Sequence, residues 1–88
     1  MIKKVATIKN KLGLHARPAS LFVKTAGMYK SKVVLVKDGI EVDGKSIMGV
    51  LMLGAEKDSQ IEIKVDGEDE KEALEAILSL IEGKFDEE

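Results

Sequence analysis

Lys32-Val33-Val34-Leu35-Val36-Lys37-Asp38-Gly39-Ile40-Glu41-Val42-Asp43 is the stretch that decides the fold. Its first half is a β-branched run and its last four residues alternate apolar with acidic. Asp-Gly between two such segments is the strongest short-range hairpin signal, because a type I′ turn needs positive φ at both central residues. An antiparallel pair of strands therefore sits at the centre of the chain.

Downstream, Gly44 releases the chain into Lys45-Ser46, and Ser46 is a good N-cap for a short helix through Met52. Gly49 and the β-branched residues make that helix intrinsically weak, so docking must hold it. Ala55 to Ser59 reads as a polar loop. Gln60-Ile61-Glu62-Ile63-Lys64-Val65-Asp66 alternates cleanly, as a half-buried strand does. A final helix is expected from Asp69, where Asp69-Glu70-Lys71-Glu72 has the spacing of a capping box, with an apolar stripe of Leu74, Ile77, Leu78, Ile81 and Phe85.

Upstream, Met1 to Lys9 alternates loosely, with Ile2, Ala6 and Ile8 on one side and Val5 and Thr7 on the other. From Ala16 the period becomes helical through Ala19, Phe22, Val23 and Ala26, and Gly27 is placed to end the helix as a C′ residue. The order is thus β-α-β-β-α-β-α. Half-exposed strands satisfy it as an α+β open-faced two-layer sandwich, one four-stranded antiparallel sheet with three helices on one face.

The 88 residues are enough for one core, so residues 1–88 are expected to form a single domain. A net charge of −2, with Glu41, Asp43, Glu62 and Asp66 on the strands, argues against nucleic-acid binding. With 3% aromatic residues the core must be aliphatic. The chain has no cysteine, which fits a reducing cytoplasm, and no apolar run near the roughly 20 residues of a membrane span. A small chain with no second acid–base group near its histidine does not read as an independent enzyme.

The junction Leu12-Gly13-Leu14-His15-Ala16-Arg17-Pro18-Ala19-Ser20 holds the chain's only histidine, arginine and proline, all within four residues. Pro18 falls in a first helical turn, where its missing N–H costs nothing. His15 then lands at the N-cap, beside orphan backbone N–H groups and the positive end of the helix dipole. Arg17 adds a guanidinium whose fork matches phosphate oxygens. This arrangement points to phosphoryl chemistry on the ring. With no second histidine and no cysteine, a metal site at His15 is not expected.

Gly13-Leu14-His15-Ala16-Arg17-Pro18-Ala19 resembles the active-site motif of the HPr family, the histidine-containing phosphocarriers of the bacterial sugar phosphotransferase system. Lys45-Ser46-Ile47-Met48-Gly49-Val50 with Leu53-Gly54 resembles that family's regulatory serine motif, at the expected separation. The resemblance implies a sheet order of 1-4-2-3 and places both His15 and Ser46 at one end of the sandwich. It also implies a phosphoryl group on His15 Nδ1, received from phospho-enzyme I and passed to sugar-specific enzyme IIA domains. The N–H groups of Ala16 and Arg17 and the Arg17 guanidinium would hold its oxygens, with Pro18 starting the helix. Ser46 would be phosphorylated by HPr kinase/phosphorylase, and phospho-Ser46 would serve a catabolite-control transcription repressor.

A monomer without cofactors is expected, a relay turned over by its partners. Leu14, Ser20, Lys24, Lys45, Ile47, Met48 and Leu51 are the candidate partner-binding residues. Ile47 and Met48 are expected outward, and Val50 and Leu53 inward. The alternative is a paralogue of a regulatory phosphotransfer branch not tied to sugar transport.

Overall fold

The computed structural model describes residues 1–86; Glu87 and Glu88, the last two residues of the expected domain, lie outside the described residues. The elements are β1 (Ile2–Thr7), α1 (Ala16–Gly27), β2 (Lys32–Lys37), β3 (Ile40–Asp43), α2 (Ile47–Leu53), β4 (Gln60–Asp66) and α3 (Glu70–Glu82), followed by a short turn over Lys84–Asp86. The sheet is antiparallel throughout, in the order β1-β4-β2-β3, and the three helices cover one face.

The hairpin forms as its sequence demands. Lys37 pairs with Ile40, leaving Asp38 and Gly39 as a two-residue loop with φ of 52° and 79°. Register then sorts the side chains. Leu35, Val42 and Ile63 share a row facing the helices, whereas Val36, Glu41, Glu62 and Val5 share a row on the open face. On edge strand β1, Lys4 falls in the Ile63 row and stays exposed, so a charge guards the edge against further pairing.

The core is aliphatic, with Ile8, Leu35, Ile61, Ile63, Ile77 and Ile81 fully buried around Phe22 and Phe85. Each such side chain contributes about 1.5–3 kcal/mol by leaving water. Ile8 is past the end of β1, yet its backbone still exchanges hydrogen bonds with Asp58 and Ser59 at 2.8 and 2.9 Å, which fixes where the chain enters the His15 loop.

Three local expectations need correction. Gly27 does not terminate α1 in a left-handed conformation: it is the last helical residue, and Met28 caps the helix in the right-handed region. Phe85 does not continue the α3 stripe. The helix stops at Glu82, and Lys84, Phe85 and Asp86 turn left-handed, with φ of 56°, 55° and 59°, to bring the ring back into the core. Asp69 is the N-cap of α3 but makes no capping bond there. Its carboxylate is taken by Lys30 and Ser31 of the segment entering β2, and Glu70 Oε1 accepts from Gly67 N–H at 3.1 Å instead.

Candidate functional site

The loop from Ile8 to Leu14 delivers His15 to the start of α1. Gly13 sits at φ 68°, and a Cβ there would lie 2.4 Å from the Ala55 carbonyl oxygen, so only glycine fits. This close approach lets Leu14 N–H donate to Ala55 O at 2.8 Å. The loop ahead of α1 is thereby bonded to the segment just past α2.

His15 is the N-cap of α1, with extended backbone (φ −80°, ψ −170°), and its carbonyl accepts the first helical bond, from Ala19 N–H at 2.9 Å. Its ring makes no side-chain capping bond and is half-buried. Pro18 occupies the third helical position, so the first-turn donors reduce to the N–H groups of Ala16 and Arg17. Arg17, Ser20 and Lys24 are exposed at spacings of three and four, on one face of α1, while Pro18 is buried. An imidazole, two backbone donors at the positive end of a helix and a guanidinium within three residues can receive and hold a phosphoryl group.

Ser46 caps α2 as the sequence predicts: its Oγ accepts from Gly49 N–H at 3.1 Å, and its carbonyl accepts from Val50 N–H at 3.0 Å. Lys45 Nζ donates to the Tyr29 carbonyl at 2.7 Å, just past α1. The entrance of α1 is therefore tied to the exit of α2, and the entrance of α2 to the exit of α1. The two helices run antiparallel. His15 thus lies by the exit of α2 and Ser46 at its entrance, with the seven residues of α2, ~10 Å at helical rise, between them.

Of the remaining candidates, Ile47 (41% exposed) and Met48 (63%) face solvent, and Val50 and Leu53 are buried. Leu51 is half-buried against the core. Leu14, at 4% exposed, belongs to the core and offers a partner almost no surface. The ammonium of Lys45 is directed at Tyr29 rather than outward. Sequence reading did not single out Met52 or Leu12, both well exposed. Met52 could have been found from its place four residues beyond Met48.

A depression of about 470 Å3 lies over β2 and β3, lined by Lys32, Val34, Glu41 and Asp43 among others, and includes neither His15 nor Arg17. Among the described residues, no three His, Cys, Asp or Glu side chains converge in a way that could hold a metal ion, and no helix is long and apolar enough to cross a membrane.

Comparison with known proteins gives a family match: the PTS HPr component phosphorylation site matches residues 2–83. The phosphocarrier protein HPr of Neisseria meningitidis serogroup A is 49% identical over 99% of this chain and 98% of its own. HPr-C-His from Thermoanaerobacter tengcongensis superposes with a TM-score of 0.97 at 46% identity, covering 100% of this chain and 99% of that one. An HPr dimer from the same organism gives a TM-score of 0.80, also at 46% identity, over 99% of this chain and 100% of that one.

Proposed function

The chain belongs to the HPr family of phosphotransferase-system phosphocarriers, and from that premise we propose that His15 receives a phosphoryl group from phospho-enzyme I and passes it to sugar-specific enzyme IIA domains. The observation that carries this reading is the placement of His15 as the N-cap of α1, beside the Ala16 and Arg17 N–H groups and the exposed Arg17 guanidinium.

In the loading step the imidazole lone pair on Nδ1 forms the new N–P bond as the donor's N–P bond breaks. The electron pair of the broken bond returns to the donor imidazole. The transferred oxygens accept from Ala16 and Arg17 N–H, and the guanidinium offsets their charge. The two backbone donors are already in place at the start of α1, so this part of the site is preorganised. Unloading is the same step in reverse, with an enzyme IIA histidine as acceptor. Because these donors act at an exposed surface, they stabilise the adduct without trapping it. The chain is thus a relay, turned over by partner enzymes rather than acting as an enzyme itself.

Ser46 is the proposed regulatory site, phosphorylated by HPr kinase/phosphorylase and then read by a catabolite-control transcription repressor. A phosphate there would sit at the start of α2, on the surface that carries Ile47 and Met48, and would act on partner docking through charge. Arg17, Ser20 and Lys24 of α1, together with Ile47 and Met48, form the proposed docking surface. Residues 1–88 are taken to act as one monomeric, cytoplasmic domain.

The test is incubation with phosphoenolpyruvate, magnesium and purified enzyme I, followed by intact mass and acid lability, on the wild type and His15→Ala. One acid-labile phosphoryl adduct, absent in the variant, is expected. No adduct on the wild type, with an enzyme I that charges another HPr, would leave His15 as a helix cap only.

A further inference from the structure

We infer that Asn10 is a positioning residue for His15, holding the peptide group through which the chain enters the phosphoryl-accepting site. The inference rests on the His15 carrier reading and deepens it.

Asn10 is fully buried, at 0% exposed, between the exposed Lys9 and Lys11 of the loop that leads to His15. Its backbone carbonyl accepts from Gly13 N–H at 3.2 Å, and its side-chain Nδ2 donates to the Gly13 carbonyl at 2.7 Å. Both polar groups of Gly13 are therefore held by one residue. The next peptide is fixed from the other side, because Leu14 N–H donates to Ala55 O and the Leu14 side chain is buried. Only His15 stands between these anchors and the first turn of α1.

Burying a primary amide is unfavourable unless it is hydrogen-bonded, and an apolar side chain would fill the same space at lower cost. What an apolar side chain could not do is fix the plane of the Gly13 carbonyl. A tilt of that plane propagates through Leu14 into the direction from which the imidazole approaches the donor phosphorus. In-line transfer is sensitive to displacements of about 1 Å, which can reduce rate by as much as ~100-fold. The amide of Asn10 therefore acts on the reaction through geometry, without touching the transferred group.

The experiment measures steady-state charging by enzyme I, with this protein as the varied substrate, for wild type, Asn10→Asp, Asn10→Ser and the core control Ile77→Val. Each variant is assayed at a temperature where circular dichroism shows it folded. Asn10→Asp keeps the size of the side chain but replaces the amide donor with a carboxylate; Asn10→Ser shortens it beyond reach of Gly13 O. The expected result is kcat reduced about 10-fold in both Asn10 variants, KM within about 2-fold of wild type, and displaced NMR signals of the His15 ring. Ile77→Val should lose stability and keep its kcat. Wild-type kcat in both folded Asn10 variants would overturn the inference, as would an equal fall in Ile77→Val. Failure of the wild type itself to charge would instead overturn the carrier reading, and the positioning role with it.

Discussion

The hydroxyl and the backbone N–H of Ser31 both donate to one oxygen of the Asp69 carboxylate, the N–H at 2.9 Å, while Lys30 N–H donates to the other at 2.9 Å. A residue placed to cap α3 thus ties that helix to the start of β2. Lys45 holds the same connection one residue earlier, at the Tyr29 carbonyl. The segment between α1 and β2 is pinned from both α2 and α3.

These donors, the Ser31 hydroxyl foremost and Lys30 N–H next, hold the Asp69 carboxyl at about 2, below its ordinary 3.8. A depressed folded-state pKa gives stability that is present above the unfolded value and lost as pH falls through the folded one. The stability difference between wild type and Asp69→Asn should be constant above about pH 4 and shrink towards pH 2. Urea midpoints at closely spaced pH values check it, and a constant gap down to pH 2 would mean the carboxylate charge contributes nothing.

Gly13→Ala should destabilise the fold by about 1–3 kcal/mol, since the position needs φ 68° and a Cβ would meet the Ala55 carbonyl at 2.4 Å. The strain falls two residues before His15, so charging by enzyme I should slow as well. Chemical denaturation and the charging assay on one sample give both numbers.

Ser46→Ala removes the acceptor that Gly49 N–H uses and should cost ~1 kcal/mol. Ser46→Asp retains a capping oxygen and should stay close to wild type. Thermal unfolding of the two variants side by side decides the point; equal losses would show that the cap is not what holds α2.

Phe85→Ala should destabilise by about 3–5 kcal/mol, because the ring is fully buried. Lys84→Gly should instead stabilise by up to ~1 kcal/mol, by removing the penalty of a left-handed lysine at φ 56°. Denaturant midpoints should move in opposite directions for two neighbouring residues.

Much of this was legible because local signals agreed with the global arrangement. Asp38-Gly39 fixed the central hairpin, the alternation of Gln60 to Asp66 matched β4 residue for residue, and Ser46 capped α2. The His15 cluster was legible because helix starts are encoded locally, by Pro18 and a change of period. Where reading failed, a distant partner had claimed a group. Ser31 took the Asp69 carboxylate from its cap, Tyr29 took the Lys45 ammonium from the surface, and the core took Leu14 and the Phe85 ring.

By itself, then, the sequence determined the elements, the antiparallel sheet and the residues that meet at the start of α1, since each depends on backbone preferences and spacings of a few residues. Only the tertiary structure decided that α1 and α2 run antiparallel, so that His15 and Ser46 stand at opposite ends of α2. It alone also decided that Asn10 grips Gly13 beneath the site. The first follows from contacts across the fold, Leu14 with Ala55 and Lys45 with Tyr29; the second is a bond between residues three apart, and what the tertiary structure adds to it is the burial of the Asn10 side chain. Packing selects such contacts from many that are locally equivalent, and no periodicity along the chain encodes them.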